Sequence, residues 1–109
     1  MRLDPWPDEW TRGVLPFAVL SAIARGPAHG YAVLQSLQAS NIGTFQGGTL
    51  YPLLQRLSDQ GLVAAHWEHP AAGPARKIFS LTDEGRDIHR LLTDRWEQFD
   101  VIVKGLNAK

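Results

Sequence analysis

The chain has 109 residues, of which 44% are hydrophobic, so it is long and apolar enough to fold as one compact domain with a modest core. It has no cysteine, which excludes disulfides and thiolate metal ligands. The N-terminus lacks a signal-peptide pattern and no apolar run is long enough to cross a membrane. We therefore expect a soluble cytoplasmic protein without membrane contact.

The net charge is zero, but the charges are unevenly distributed. Residues 10–58 contain three arginines and no acidic side chain, whereas residues 82–100 contain six acidic side chains and three arginines. Either these charges cluster by chance in a short chain, or one half of it faces a polyanion that the other half repels.

The first forty residues predict two helices. Residues 11–24 are too apolar for a surface helix and indicate one that is buried on more than one side. Gly26 and Pro27 end it, Gly26 as a left-handed cap. A second helix is expected over residues 29–39, followed by a turn-rich connection over residues 40–45.

A third helix is predicted to begin close to Gly48 or Thr49 and to run to about Gln60. Its leucines recur at the spacing of one helix face, at positions 50, 53, 54 and 57. The opposite face carries Gly48, Pro52, Gln55 and Asp59, flanked by Tyr51 and Arg56. The beginning of this face is nearly bare, so its backbone can approach phosphates, whereas Asp59 lies two turns on and should point away from them.

The period then changes to that of strands. Residues 63–68 alternate, and residues 76–81 form a second strand, which together predict a two-stranded hairpin. Thr82 is a good N-cap for a last helix that runs to about Lys104, with Gly105 as its cap. Three helices followed by a hairpin are the arrangement of a winged helix-turn-helix, whose third helix enters the DNA major groove.

The fold class predicted is therefore mainly α with a small β-hairpin: a winged helix-turn-helix plus a long C-terminal dimerisation helix. Residues 1–81 would form the DNA-binding domain, with the first helix also contributing to the dimer. Residues 82–109 would form the dimerisation helix.

The last helix carries a short heptad seam, formed by Leu92, Trp96, Phe99, Val103 and Leu106. The seam packs either on the first helix of its own chain or, as we favour, in a homodimer built from the first and last helices. Trp96 then lies near the two-fold axis, either as plain packing or as the wall of a pocket for a planar aromatic effector. Phe17 and Phe99 would extend this wall.

Three segments carry a family resemblance: GPAHGYAVLQSLQ, GGTLYPLLQRLSDQGLVAAHWE and GPARKIFSLTDEG. Together and in this order they resemble the PadR family of transcriptional regulators. The resemblance implies a homodimeric winged-helix repressor that binds double-stranded DNA at a palindromic operator and releases it on binding a small effector. It also implies DNA contacts at Thr49 and Tyr51, around His29 to Tyr31, and at Arg76 and Lys77.

The chain departs from the family pattern at three positions. Gln46 stands where a capping serine is common, Phe79 where tyrosine is usual, and Ser80 where a basic residue often occurs. These departures predict weaker nonspecific DNA affinity. The full set of predicted DNA contacts is His29, Tyr31, Gly48, Thr49, Tyr51, Gln55, Arg56, Arg76 and Lys77, with Gln55 as the candidate for reading base edges.

Two other classes stay open from the residues alone. The first is a winged-helix protein-interaction module without DNA binding, which the neutral charge and the reduced wing favour. The second is an enzyme or metal protein built on His66, Glu68 and His69, whose spacing on a strand and loop does not converge on one metal. We expect no enzyme activity, no metal and no cofactor.

Overall fold

The computed structural model describes residues 8–40, 42 and 46–108, with four helices and a small antiparallel sheet. The elements are α1 (Asp8–Ala24), β1 (Ala28–His29), α2 (Gly30–Ala39), α3 (Gly47–Asp59), β2 (Val63–Glu68), β3 (Arg76–Leu81) and α4 (Asp83–Asn107). The predicted fold class is confirmed. Of the predicted connection over residues 40–45, only Ser40 and Ile42 lie within the described residues.

The sheet has three strands rather than the two predicted. β3 is central, with β2 on one side and the two-residue β1 on the other, all antiparallel. β1 pairs Ala28 with Phe79 and His29 with Ile78. The prediction was wrong here because two residues are too few to show a period of two. His29 therefore precedes α2, as its N-cap, rather than beginning it.

The core is one cluster around α1, which contacts the other three helices and β3. Leu15, Val19, Leu20 and Ile23 of α1 are all buried, so the prediction of a helix covered on more than one side is confirmed. Gly26 ends α1 with a φ of 149°, outside the left-handed helical region that was expected but equally unfavourable for any residue with a Cβ.

α3 places its leucines in the core, as predicted. Leu50, Leu53, Leu54 and Leu57 are buried, and the outward residues from Gly48 to Asp59 named above are exposed. The helix ends in a Schellman arrangement, in which the Leu62 amide donates to the Leu57 carbonyl at 3.0 Å and Gly61 has a φ of 78°.

The beginning of α3 is weakly capped. Gln46 is the N-cap and its side chain makes no capping hydrogen bond, which fits its departure from the family pattern. Pro52 is the sixth residue of the helix and so lies in its second turn. The carbonyl that a Pro52 amide would have bonded belongs to Gly48, an exposed residue that water can reach.

The hairpin projects from the core as a wing. β2 and β3 pair in register from Val63 opposite Leu81 to Glu68 opposite Arg76. In β2 only Val63 is buried, whereas Ala65 and Trp67 are exposed although they share its face. The predicted alternation is therefore present in the strand, but the core covers only its first residue.

α4 begins at a junction of three other segments. The Thr82 side chain accepts a hydrogen bond from the Gly85 amide (2.9 Å) and donates to the Gly61 carbonyl (2.7 Å), while its backbone amide donates to the Leu62 carbonyl (3.1 Å). Gly85 is buried, and a Cβ there would overlap the Leu62 carbonyl. The predicted N-cap is confirmed, and it also ties the end of α3 to β3 and α4.

The far end of α4 differs from the prediction. The helix passes through Gly105 and ends at Asn107, with Ala108 as its C-cap, so Gly105 is not the cap. Near its beginning, Ile88 and Leu92 pack against the core, whereas Phe99, Ile102 and Leu106 are exposed. Within the described part of the chain, no helix has the length and apolarity that crossing a membrane requires.

We expect Thr82→Ala to lower the free energy of unfolding by about 1–2 kcal/mol, because it removes a side-chain N-cap together with a hydrogen bond to the α3 end. Thr93→Ala in the same helix is the matched control, since the Thr93 hydroxyl only bonds the His89 carbonyl one turn back. Urea unfolding at one protein concentration compares them. Equal effects of the two substitutions would contradict the junction.

Candidate nucleic-acid interface

A concave surface lies where α2 and α3 meet the wing. We call it the groove; its volume is about 580 Å³. It is lined by His29, Gly30, Tyr31, Tyr51, Gln55, Trp67, Arg76, Lys77 and Phe79. Six of the nine predicted DNA contacts thus meet on one surface, although they come from three separate segments of the sequence.

The beginning of α2 forms one wall of the groove. His29 Nδ1 accepts a hydrogen bond from the Ala32 amide at 3.2 Å, so the imidazole caps the helix. In a neutral imidazole that accepts at Nδ1, the proton is on Nε2, which remains a donor. Tyr31 follows, 59% exposed.

Two glycines hold the ring of Tyr51 between α2 and α3. A Cβ at Gly30 would overlap the ring, and a Cβ at Gly47 would lie 2.9 Å from its Cε2 atom. Any residue with a Cβ at either glycine would therefore force the ring to move. At Gly48, by contrast, a Cβ would meet nothing within 4 Å.

The outer face of α3 carries the remaining contacts. The Gln55 amide donates to Asp59 Oδ1 at 3.0 Å, which orients the Gln55 side chain along the helix. Gly48, Thr49 and Arg56 are exposed on the same helix but do not line the groove.

The wing supplies the cations of the groove. Arg76 forms an exposed ion pair with Glu68 across the hairpin, at 3.3 Å. Lys77 Nζ lies 5.8 Å from the centre of the Phe79 ring, within range of a cation–π contact. Phe79 itself is buried, so the ring that replaces the usual tyrosine belongs to the core as well as to the groove floor.

Trp67 lines the groove and was not predicted as a site residue. It is 59% exposed on β2 and faces Lys77 in the strand register. The alternation of residues 63–68 places Trp67 on the same strand face as the buried Val63, so the sequence by itself predicts a buried side chain. The structure instead pairs Trp67 with Lys77 and places it in the groove lining.

A second concave surface, the α1–α4 cleft, has a volume of about 330 Å³. It is lined by Val14, Phe17, Ala18, Ser21, Ser40, Ile42 and Trp96. The ring centres of Phe17 and Trp96 are 6.2 Å apart, and those of Trp96 and Phe99 are 6.3 Å apart. Leu92, Phe99 and Val103 do not line the cleft within this one chain.

Ser21 and His89 form a polar contact beside the cleft that sequence reasoning missed. Ser21 Oγ lies 3.1 Å from His89 Nε2, and the His89 ring centre is 5.8 Å from that of Phe17. The two residues are 68 positions apart, so no local pattern could pair them.

The described residues contain no group of three or more histidine, aspartate or glutamate side chains placed to hold a metal ion. His66 and Glu68 lie two positions apart on β2, so their side chains share one strand face, and His69 follows the end of the strand.

Comparison with known proteins identifies the family. The family model described as transcriptional regulator PadR-like matches residues 19–91, which include α2, α3, the wing and the first turns of α4. The chain belongs to the PadR-like family of transcriptional regulators. This family membership agrees with the resemblance of the three sequence segments and with the winged-helix fold.

Solved PadR-like structures are similar over most of this chain. A PadR family regulator from Eggerthella lenta is 38% identical, with a TM-score of 0.79 over 93% of this chain and 88% of its own. A Streptococcus transcriptional regulator is 31% identical, with a TM-score of 0.83 over 92% of this chain and 98% of its own. No curated protein matches the chain.

The adjacent glycines at the beginning of α3 provide a test of the Tyr51 contact. We expect Gly48→Ala to raise the free energy of unfolding by about 0.5–1 kcal/mol through reduced backbone entropy of the unfolded chain. Gly47→Ala should be less stable than Gly48→Ala by about 1 kcal/mol, because its methyl group displaces the Tyr51 ring. Urea unfolding measures both. Equal stability of the two variants would contradict the packing of Tyr51 on Gly47.

Proposed function

We propose that this PadR-like protein binds double-stranded DNA as a homodimer and represses transcription from a palindromic operator. α3 lies in the major groove, and the wing lies on the adjacent sugar–phosphate backbone. The contacts are those predicted from the sequence: His29, Tyr31, Gly48, Thr49, Tyr51, Gln55, Arg56, Arg76 and Lys77.

The observation that carries the proposal is the groove itself. It brings the beginning of α2, where backbone amides lack helical partners, beside Tyr51 and Gln55 of α3 and two wing cations. Gly48, at the beginning of α3 and outside the groove, adds a bare stretch of backbone. A surface of this composition binds phosphate with amides, the Tyr51 hydroxyl and cations together, while Gln55 faces the base edges.

A structural neighbour supports the same mode of binding. Bacillus subtilis PadR, described in complex with operator DNA, has a TM-score of 0.67 with this chain over 73% of it, at 22% identity. At this identity the likeness supports the fold that presents α3 and the wing.

A mobility-shift titration with DNA from upstream of the protein's own gene tests the proposal. The expected result is a discrete complex from which unlabelled operator displaces the labelled DNA far better than unrelated DNA does. A folded protein that shifts neither its own upstream DNA nor a panel of neighbouring promoters at low salt would overturn it. That result would favour the protein-interaction module instead.

We expect Lys77→Ala to weaken operator binding and to lower the salt dependence of binding. Each phosphate contact contributes roughly 0.9 to the slope of log K against log salt, so a dimer that loses two lysines should lose about 1.8. Tyr51→Phe should weaken binding without changing this slope, because no charge is lost. Fluorescence anisotropy at several salt concentrations measures the affinity and the slope.

Lys104→Ala is the matched control for Lys77→Ala. Lys104 is exposed near the end of α4 and pairs with Asp100 at 2.9 Å, away from the groove. Its substitution should leave the slope unchanged. An unchanged affinity and slope for Lys77→Ala would show that the wing does not contact DNA.

The dimer that we propose forms through α1 and α4. In the single chain α4 exposes a wide apolar stripe that includes Leu91, Phe99, Ile102 and Leu106, at least 45% exposed in each case. A second copy of the same stripe, related by a two-fold axis, would bury it. The two halves of a palindromic operator then match the two protomers.

The effector that we propose is a planar aromatic molecule bound beside Trp96. The α1–α4 cleft is already lined by Phe17 and Trp96 in one chain, and its volume lies at the lower end of the range of ligand sites, roughly 300–1,000 Å³. The rings of Phe17 and Trp96, with centres 6.2 Å apart and planes tilted by 43°, form one continuous aromatic wall, against which a flat aromatic ring packs better than a branched aliphatic group. A ligand bound there would change the packing of α1 on α4, and so change the distance between the grooves of the two protomers.

Tryptophan fluorescence tests the Trp96 site. With Trp6, Trp10 and Trp67 replaced by Phe, planar aromatic dyes or phenolic acids should quench Trp96, and Trp96→Ala should lose ligand binding while staying dimeric. Val101→Ala is the control, because Val101 is 70% exposed and lies half a turn from Leu92 around α4. Absence of quenching by every ligand, with dissociation of the Trp96→Ala dimer, would show plain interface packing, for which truncation costs roughly 3–5 kcal/mol.

A further inference from the structure

Among the described residues, the large exposed aromatic side chains fall into two sets. Trp10, Trp96 and Phe99 belong to α1 and α4, where the proposed dimer would cover them. Tyr31, Tyr51 and Trp67 line the groove, where the proposed DNA would cover them. Trp67 belongs neither to the core nor to the predicted DNA contacts, so neither of these accounts for the exposure of its side chain.

The fold keeps Trp67 out of the core. β2 leaves the core after Val63, and every later residue of the strand is exposed. Within the strand pair Trp67 is opposite Lys77, so the two side chains stand on the same face of the hairpin. This face is the one that closes the groove, as both residues line it.

We infer that Trp67 is a DNA-contact residue of the wing, which rests on the proposed function and extends its contact surface. The indole packs on the sugar–phosphate backbone that Lys77 contacts. It has a broad apolar face for a deoxyribose and a single N–H that donates to a phosphate oxygen. Most protein–DNA hydrogen bonds go to phosphate and sugar, and neutral donors supply many of them.

A neutral contact of this kind fits a protein without net charge. The groove has two cations, and Glu68 engages Arg76 at 3.3 Å in the free protein. Affinity from aromatic packing and neutral donors adds to the phosphate attraction without releasing further counterions. Trp67 should therefore contribute to affinity at every salt concentration equally.

Anisotropy titrations of Trp67→Ala with the operator test the inference. We expect operator affinity to fall about tenfold, which corresponds to about 1.4 kcal/mol, with an unchanged salt slope. Lys77→Ala provides the contrast, because it should lower the slope. Trp67→Ala binding with wild-type affinity, while wild-type protein binds the operator, would overturn the contact.

His66→Ala is the matched control on the same strand. His66 is exposed one residue before Trp67 and on the opposite strand face, and it does not line the groove. At pH 8 its substitution should leave operator affinity within twofold of wild type. An equal loss in His66→Ala and Trp67→Ala would mean that the wing is generally perturbed and would also overturn the contact.

Fluorescence supplies a second readout that does not depend on truncation. With Trp6, Trp10 and Trp96 replaced by Phe, emission reports on Trp67 alone. Operator DNA should shift this emission to shorter wavelength as water leaves the indole, with saturation at the concentration that saturates the mobility shift. Saturated DNA binding without a change in emission would overturn the inference, whereas absence of any DNA binding by the wild type would overturn the proposed function instead.

Discussion

The arrangement of α3, the wing and α4 depends on the contact between Thr82, Gly85 and the turn that follows α3. The Thr82 hydroxyl caps α4 and donates to the Gly61 carbonyl, and the Leu62 carbonyl approaches Gly85 so closely that no Cβ fits. Four element ends are therefore held together where the end of α3, the beginning of β2, the end of β3 and the beginning of α4 meet. This junction sets the angle of the wing to α3 and the direction of α4 as it leaves the core.

The groove also depends on glycines, because a Cβ at either of two positions would overlap or crowd the Tyr51 ring. Gly30 and Gly47 admit the Tyr51 ring between α2 and α3, so an aromatic side chain stands at the floor of the groove without pushing the helices apart. The wing then completes the wall with Trp67, Arg76 and Lys77. The result is a surface that combines the beginning of α2, aromatic rings and two cations.

α1 links this surface to the α4 side of the molecule. Its buried residues form the centre of the core and contact β3, while Phe17 and Ser21 face Trp96 and His89 of α4. A change in the α1–α4 packing would therefore act on the same helix that supports the sheet.

The acidic side chains are concentrated on the α4 side of the molecule. Those of residues 82–100 belong to α4, whereas residues 10–58 carry none.

Local sequence patterns by themselves determined the helices, the hairpin and two residues of the groove, whereas the family resemblance supplied the other predicted groove residues. The leucine spacing of α3 and the Thr82 cap are short-range features, and a single helical period placed Tyr51 and Gln55 on the outer face. Tertiary structure alone decided β1, because its two residues pair only once β3 is beside them. It also decided the place of Trp67 and the pairing of Ser21 with His89, since a period of two gives the face of a strand but not where the core ends, and a contact across 68 positions leaves no local trace.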